Sequence, residues 1–460
     1  MILKIIKISH KFCLIGVVTL CLSQTRIVLA SKEPIINVLI LKDKKIRIRS
    51  DRSIPLIFKG QKFSNKKIKG LTLKKEKNKT ILFFDNKKQK IYNVKNKERF
   101  LVKSFDRRGI WVGQKRYAGK LKIFVLHNEI LVVNTLGIEK YLSSVVGSEM
   151  PAKWPLEALK AQAIASRTYA LKQKGNPLYD IDSTNKNQVY IGLEARTSKT
   201  KRAVSSTRSL VITYKNKLIN ALFHSSSAGM TENSQDVWKN KYPYLTSVKD
   251  FDKNNPKLLW KKKFSDAQLQ KLFPRIGSIK SIDILNVTNT GRIKNAKVNG
   301  ALGSDEISGV DIRKKLNLNS TLVRFKFIDV NDSKSSKNSE MLSNSSLNNE
   351  PIVYIVRIGD SLNAIADEYK IGVDEIVALN NISNSSLIKI GQKLLLPRNS
   401  LNTITTNEKI LVVSGYGFGH GVGMSQWGAK YMASKGQKAE EILKHFYRGV
   451  KIKPFSKNFL

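Results

Sequence analysis

The chain has 460 residues, 41% of them hydrophobic and 25% charged, and this apolar content excludes a wholly disordered protein. The length exceeds that of one ordinary hydrophobic core, so two or three domains are expected. The net charge of +47 points to an anionic partner or surface. Because many of the lysines are scattered among Ile and Asn, biased composition is an alternative source of the charge.

Residues 1–30 are typical of a signal peptide. Three lysines precede an apolar run at 12–22, and Val28-Leu29-Ala30 resembles a cleavage site. The run is shorter than the roughly 20 residues that a membrane helix needs, so an uncleaved anchor is the less favoured alternative. We therefore expect an exported protein of the periplasm or cell wall, with no stable membrane span after signal cleavage.

The two cysteines, Cys13 and Cys21, both lie in that segment. The mature chain is therefore expected to contain no disulfide. Leu20 stands where a lipoprotein signal would have a small residue, which disfavours lipid attachment. Exported proteins seldom meet DNA or RNA, so nucleic acid is not an expected partner, although the charge alone would suit one.

Residues 31–120 are Lys-rich, and short apolar runs alternate there with turn residues, which predicts a basic β-rich N-terminal region. The runs at 121–126 and 130–134 predict a hairpin around His127 and Asn128. A helix is predicted over 155–174, with Pro155 in its first turn and Gly175 after its end.

Glu149 lies in Gly147-Ser148-Glu149-Met150-Pro151, just before that helix. The prolines would hold the carboxylate at the start of the helix, where main-chain nitrogens favour the ionised form. Met150 and Trp154 would instead desolvate it and raise its pKa, which suits a proton donor near neutral pH. The alternative is a glutamate that only caps the helix.

The rest of the chain predicts strands near 210–214, 219–223 and 322–327, then a Ser/Asn-rich linker at 331–350. A compact insert at 351–397 is followed by a second polar stretch at 398–408. Glycines alternate at 415–423, and their spacing does not fit a dinucleotide site. We expect a tight backbone passage that lets a sugar chain approach; a packing loop is the alternative.

The insert predicts strand, helix, helix, strand, with Asp360 or Ser361 capping the first helix and Asp374 the second. It resembles a LysM module over its full length. The resemblance implies binding of glycans that contain N-acetylglucosamine. The groove would be lined by Gly359, Asp360, Ser361 and the loop that includes Ile388.

Outside the insert, several blocks in a fixed order resemble the SpoIID/LytB family of cell-wall proteins. The resemblance covers about 115–255 and 410–453, and the blocks that carry it are 137–149, 165–170, 188–190, 224–232, 242–245 and 417–429. It implies an α+β catalytic domain in two parts, 121–330 and 398–460, interrupted by the βααβ LysM module.

That resemblance also implies a lytic transglycosylase acting on peptidoglycan glycan strands, with Glu149 as the catalytic acid/base. The glutamate would protonate the glycosidic oxygen and then take the proton of the muramic 6-hydroxyl, which closes a 1,6-anhydro ring. A hydrolase would need a second acid, and the spacing of Asp236, Asp250 and Asp252 singles out none of them. The residues expected to bind the glycan are Gln162, Arg167, Tyr169, Gln188, His224, Ser225, His420 and Gln426.

Some relatives carry cysteines near the positions of Gln188 and His224 and can hold zinc there. This chain has no thiol at either place, so no metal and no cofactor is expected. His224 alone could be an ordinary buried histidine. Two other functions stay open: a wall-binding protein that stimulates a cell-wall amidase, as LytB-type relatives are thought to do, and a binder of polyanions.

Overall fold

The computed structural model describes residues 33–329, 351–397 and 409–460, apart from 52–53, 77–78, 86–90, 96, 174–175, 357–359, 370, 383–387 and 389–390. The expected signal peptide and the two polar stretches at 331–350 and 398–408 lie outside the described residues. In the part of the chain that is described, every helix is too short or too polar to cross a bilayer.

The N-terminal region forms two antiparallel sheets, as its alternating apolar runs predict. One sheet has the order β13-β1-β12-β11-β8-β3-β4 and the other the order β10-β9-β2-β5-β6-β7. The strands are β1 (Ile35–Asp43), β2 (Lys45–Arg49), β3 (Leu56–Gly60), β4 (Phe63–Ile68), β5 (Gly70–Glu76), β6 (Lys79–Phe84), β7 (Ile91–Val94), β8 (Arg99–Lys103), β9 (Ile110–Val112), β10 (Lys115–Tyr117), β11 (Lys120–Val125), β12 (Ile130–Gly137) and β13 (Ile181–Asp182).

The predicted hairpin is present as β11 and β12, and it lies in the middle of the first sheet, between β1 and β8. The boundary expected between residues 120 and 121 therefore runs through a continuous sheet. A single hydrophobic core joins this region to the helices that follow and extends to Val450. The β-rich region and the Glu149 segment form one folded unit.

Two helices carry the Glu149 segment. Helix α1 (Ile138–Glu149) follows β12 directly, and α2 (Leu156–Lys172) is the predicted helix, with Pro155 as its N-cap. Next come a short 3-10 turn (Leu193–Ala195), α3 (Ser198–Ser205), β14 (Leu210–Tyr214), β15 (Lys217–Leu218), β16 (Phe223–His224) and α4 (Ser234–Val237). The strand predicted at 219–223 is wrong for most of its length: Ile219 and Ala221 are buried core residues in an irregular segment between β15 and β16.

Residues 259–329 build a second unit that the sequence did not suggest. It contains β17 (Leu259–Ser265), α5 (Asp266–Leu272), β18 (Ile279–Val287), β19 (Ile293–Gly300), β20 (Gly303–Ser308), α6 (Gly309–Lys315) and β21 (Leu322–Asp329). The predicted strand at 322–327 is confirmed as β21. The unit has its own core, which includes Trp260, Phe273 and Val298.

The insert folds as predicted, with β22 (Ile352–Ile355), α7 (Leu362–Tyr369), α8 (Val373–Leu379) and β23 (Lys393–Leu396) around a separate core. Ser361 caps α7, since its Oγ accepts a hydrogen bond from the Ala364 N–H at 3.2 Å. The predicted cap by Asp374 is wrong. Gly372 is the N-cap of α8, and Asp374 lies one residue into the first turn, where its charge still favours the helix.

The chain returns in β24 (Lys409–Tyr416), followed by β25 (Met424–Ser425), α9 (Gln426–Ser434), α10 (Ala439–Phe446) and β26 (Lys451–Pro454). Strand β24 pairs with both β17 and β21, so Asp329 stands opposite Lys409. The LysM module is therefore inserted between two paired strands of the second unit. That unit is in turn inserted into the first, and the whole has the expected α+β architecture.

Candidate functional site

Glu149 is the last residue of α1, not the first of the following helix. Its Oε1 accepts a hydrogen bond from the backbone N–H of Val189 at 2.8 Å, and its Oε2 accepts one from Nε2 of Gln426 at 3.3 Å. The alternative interpretation, that Glu149 only caps α2, is therefore wrong. Glu157 is the acid in the first turn of α2, where it accepts a hydrogen bond from the Ala439 N–H.

The Glu149 carboxyl is half-buried, and burial raises its pKa to about 7, against the opposing effect of the two donors. Both donors are neutral, so the ionised form has no formal positive charge in direct contact with it. Met150, the next residue, and Trp154, five positions along the chain, were suggested by the sequence as desolvating neighbours, and both are buried. A carboxyl with this pKa holds a proton in about half of the molecules near neutral pH, which suits transfer in either direction.

The segment at Gln188 fixes one side of this carboxyl. Gln188 is fully buried, and it donates to the Ser166 carbonyl at 3.2 Å and accepts from the Tyr141 hydroxyl at 3.0 Å. These bonds hold the next residue, Val189, with its N–H directed at Glu149. Gln188 thus positions the backbone donor and does not face an open surface. The role of the Val189 N–H is invisible in the sequence because any residue except proline could supply it.

Gln426 brings the other donor from the far end of the chain, 277 residues away. It is the first residue of α9, and its position is set by its neighbours on both sides. Ser425 pairs with His224 in a two-stranded parallel ladder, and the Trp427 N–H donates to the Ser225 carbonyl at 3.1 Å. The chain therefore passes through both inserted units and returns to complete the surroundings of Glu149.

Three of the expected glycan-binding residues on α2 face the protein interior. Gln162 is fully buried and donates to the Ser166 hydroxyl at 2.9 Å, and Tyr169 accepts from the Asn187 amide at 3.0 Å. The Arg167 guanidinium is 1% exposed and paired with Glu139 at 2.7 Å. In this geometry Arg167 ties α2 to α1, and Tyr169 ties α2 to the segment that leads to Val189.

His224 and His420 lie together, with ring centroids 5.4 Å apart, and His224 pairs with Ser425, the residue before Gln426. The Val422 carbonyl, 3.2 Å from His224 Nδ1, can only accept, so Nδ1 carries the proton and Nε2 accepts from the Ser227 hydroxyl at 2.8 Å. Burial lowers the pKa of His224 well below its usual value and that of His420 to about 3, with Arg313 and Arg292 adding to the effect on His420. Both rings are therefore neutral near pH 7.

The glycine-rich run acts as a packing loop, which was the alternative interpretation. Gly419 has φ +115°, and a Cβ there would lie 2.6 Å from Cβ of His224. At Gly421, φ is +83° and an added Cβ would lie 2.9 Å from the Arg292 guanidinium carbon. The expectation that these glycines make room for a sugar is therefore wrong for both positions, because protein atoms occupy the space.

Asp236, Asp250 and Asp252 were the candidates for the second acid that a hydrolase would need, and two of them organise a loop. Asp252 accepts hydrogen bonds from the Ser226 hydroxyl and from the N–H groups of Ala228 and Gly229. Asp250 is buried, which raises its pKa to about 7, and the Asp252 charge adds to this rise. Asp236 lies 3.8 Å from the Lys294 ammonium. Among the described residues, no three His, Cys, Asp or Glu side chains are grouped to hold a metal ion.

A buried ion pair under the glycine-rich loop gave no signal in the sequence. Glu232 and Arg292 are each 1% exposed, with Arg292 Nε 3.4 Å from Glu232 Oε1. Arg292 comes from the second unit, and its NH2 group donates to the Ser227 carbonyl at 2.6 Å. A charged pair between residues 60 positions apart could be found only once the inserted unit was known to pack here.

In the LysM module, the Asp360 carboxylate accepts from the Tyr354 hydroxyl at 2.7 Å, next to the Ser361 cap of α7. Ile388 is half-buried against the module's core. Gly359, the remaining residue expected in the groove, lies outside the described residues. Whether these residues contact a glycan stays a prediction.

Comparison with known proteins gives matches to both parts of the chain. A family model described as stage II sporulation protein matches residues 126–214, and a LysM domain model matches residues 354–397. Stage II sporulation protein D of Bacillus subtilis (strain 168) is 30% identical over 341 residues, which cover 70% of this chain and 75% of the relative.

The protein of the same name from Bacillus amyloliquefaciens is 30% identical over 344 residues, with the same coverage of 70% and 75%. The amidase enhancer of Bacillus subtilis (strain 168) is 29% identical over 317 residues, which cover 67% of this chain and 39% of that longer protein. The SpoIID/LytB and LysM resemblances are thereby confirmed. The chain belongs to the stage II sporulation protein D family and carries a LysM domain in addition.

Proposed function

We propose that the protein is an exported lytic transglycosylase that cleaves peptidoglycan glycan strands, with Glu149 as its acid/base. The observation that carries the proposal is the state of this carboxyl: half-buried, with a pKa raised to about 7 and two neutral hydrogen-bond donors. The LysM domain supports peptidoglycan as the polymer that is bound. The same features favour action outside the cytoplasm, at the cell wall.

Each donor has a defined part in the proposed proton cycle. The 2.8 Å bond from Val189 holds Oε1, and the longer 3.3 Å bond from Gln426 leaves Oε2 as the better position for the proton. Oε2 would protonate the leaving glycosidic oxygen. The resulting carboxylate would then take the proton of the muramic 6-hydroxyl as that oxygen bonds to the anomeric carbon, which restores the acid. The nucleophile belongs to the substrate, so no second carboxylate is required.

The surrounding side chains have supporting parts. Gln188 and Tyr169 hold the segment that carries the Val189 donor. Arg167 holds α2 against α1, and Gln162 bonds Ser166 within α2. We propose that the glycan lies along the side from which Gln426 reaches Glu149. Ser225 accepts a hydrogen bond from the next residue, Trp427, and His420 packs against His224 on that side. Both ring nitrogens of His224 are bonded within the protein. Both histidines are neutral near pH 7, so neither competes for the proton of Glu149.

The test uses purified protein with intact peptidoglycan and, separately, with glycan strands stripped of peptides. Mass spectrometry of the products should reveal 1,6-anhydro-muramic ends with the wild type. In Glu149→Gln their rate of formation should fall by roughly 10²- to 10⁴-fold, the usual contribution of a general acid. The matched control is Glu440→Gln, an exposed glutamate on α10, which should leave the rate unchanged. Anhydro ends that persist in Glu149→Gln would contradict the proposal.

A second candidate function is favoured by the similarity to the amidase enhancer. In that case the protein binds the wall and stimulates a cell-wall amidase, and Glu149 has only a structural part. Adding an amidase to the same assay distinguishes the two. Stimulation that is equal in wild type and Glu149→Gln, without anhydro products from either, would favour the second function.

A further inference from the structure

The first sheet carries a cationic face on the side away from its core. Strand register places Lys120 opposite Lys103, and Lys122 opposite Leu101, which in turn stands opposite Lys59. One step further along, Phe124 stands opposite Arg99. Directly opposed residues share a face. The alternate residues, among them Leu121, Ile123, Val102 and Phe58, are buried in the core. We refer to Lys59, Arg99, Lys103, Lys120 and Lys122 as the cationic face.

A cleft of about 720 Å³ opens on this face, within the size range of ligand sites in proteins. Its floor includes Lys59, Arg99 and Lys122 from three adjacent strands, and its wall is the segment 176–180. Among the lining residues that the structure describes, Asp180 is the acid, and its Oδ2 already accepts two hydrogen bonds from Asn37. Three cations thus face one engaged carboxylate, and the cleft is suited to an anionic ligand.

The cleft also has apolar and aromatic surfaces, which narrow the class of ligand. Phe124 forms a small core with Leu131 and Val133, and Leu178 and Tyr179 pack against that core from the wall. A polyphosphate would use the cations alone. A short peptide with free carboxylates and small apolar side chains would use both kinds of surface.

We propose that this cleft binds the peptide stems of peptidoglycan through their carboxylates, an inference that rests on the proposed action on that polymer. The wall of the cleft and the site of Glu149 belong to one stretch of chain. From Asp180 this stretch continues through β13. Further along it, the Asn187 amide donates to the Tyr169 hydroxyl, and the Val189 N–H donates to Glu149. A stem held in the cleft would keep neighbouring glycan close to the catalytic carboxyl, as a second binding site on one molecule does.

The test measures binding without cleavage. In the full-length Glu149→Gln background, Lys59→Glu/Arg99→Glu reverses two exposed charges that line the cleft. The matched control is Lys261→Glu/Lys263→Glu, which makes the same change in charge on β17 of the second unit. Co-sedimentation is measured with intact peptidoglycan, with glycan freed of its peptides, and with peptidoglycan freed of phosphodiester-linked polymers.

We expect Lys59→Glu/Arg99→Glu to bind intact peptidoglycan about tenfold more weakly than the control variant, the sum of two partly exposed charge contacts. Binding to peptide-free glycan should be the same for both variants. Equal binding of the two variants to intact peptidoglycan would overturn the proposal. A difference that disappears when the phosphodiester polymers are removed would overturn it too, in favour of a phosphate ligand. Because no cleavage is measured, the result stands apart from whether wild type produces anhydro ends.

Discussion

Two glutamates of this protein share a pKa raised to about 7, but they differ in exposure and in the charge of their partners. Glu149 and Glu232 both owe the rise to burial. Glu149 is half-buried and meets two neutral donors, whereas Glu232 is 1% exposed and lies 3.4 Å from the Arg292 guanidinium. The Glu232 N–H bonds the Gly421 carbonyl, and its side chain accepts from the Thr288 hydroxyl. Glu232 is thus sealed beneath the glycine-rich loop.

The comparison teaches that a raised pKa does not by itself mark a catalytic acid. Desolvation raises the pKa of any buried carboxyl. What distinguishes Glu149 is that its partners are neutral and that it is half-buried, which is the basis for proposing it as the acid. Glu232 instead joins the first unit to the inserted second unit. It belongs to the buried ion pairs that hold two parts in one arrangement, at a cost in desolvation.

Removing Arg292 should give the largest effect on stability. Arg292→Met leaves Glu232 buried without its counter-charge, so we expect the free energy of unfolding to fall by about 3–5 kcal/mol at pH 8. The loss should be smaller at pH 5, because Glu232 then takes up a proton. Urea unfolding followed by tryptophan fluorescence measures this outside the LysM module, since residues 351–397 contain no tryptophan.

Arg324→Met is the matched control, because Arg324 is exposed on β21 of the same unit. It should change stability by less than about 0.5 kcal/mol. A loss of under about 1 kcal/mol in Arg292→Met at pH 8 would show that the pair does not hold the two units together. The double variant Glu232→Gln/Arg292→Met should recover part of the loss, since it removes both buried charges.

The sequence predicted the parts of this structure that local patterns specify. The β11–β12 hairpin, helix α2 and the four elements of the LysM module follow from alternation, helical spacing and turn residues. The Glu149 segment was singled out because prolines and a family pattern surround it. The insertion of the LysM module was predicted, but the second unit that surrounds it was not, because the pairing of β24 with β17 and β21 joins residues 80 to 157 positions apart.

The same limit applies to the site. The family pattern includes three polar residues, Arg167, Gln162 and Gln188. The pattern alone does not show whether such a side chain contacts a ligand or forms a buried hydrogen bond inside the protein. The structure resolves this for Arg167 through its pair with Glu139. Likewise, the alternating glycines predict that some group lies very close to the backbone. Only the fold reveals that these groups are His224 and Arg292.

The pH dependence of stability should reveal the titration of each glutamate. The folded-state pKa of Glu149 is about 7 and its ordinary value is 4.5. The folded protein therefore binds this proton more tightly than the unfolded chain. The associated stability is present below about pH 4.5 and is lost as the pH rises to 7. Glu149→Gln removes the titration, so its stability relative to wild type should increase by roughly 2 kcal/mol between pH 5 and pH 8.

Glu232→Gln is the companion variant in that experiment. The pKa of Glu232 is also raised to about 7, so Glu232→Gln should likewise gain stability relative to wild type between pH 5 and pH 8. Chemical unfolding at pH 5 and pH 8 measures all three proteins under matched conditions. If Glu149→Gln showed no gain on going to pH 8, the carboxyl would not be titrating in this range, and the comparison between the two glutamates would fail.

The smallest effect should come from the donor that distinguishes Glu149 most directly. Gln426 lowers the pKa of Glu149 by donating to Oε2. Gln426→Met keeps the length of the side chain and removes the donor, so the pKa of Glu149 should rise by about half a unit, equivalent to a weak hydrogen bond. The proton donor would then persist to higher pH. The alkaline limb of the pH–rate profile for anhydro-product formation should move upward by the same amount, while Gln437→Met, at an exposed position after α9, leaves it in place. A downward shift would mean that the amide stabilises the protonated acid, and the proton would then belong on Oε1, beside Val189.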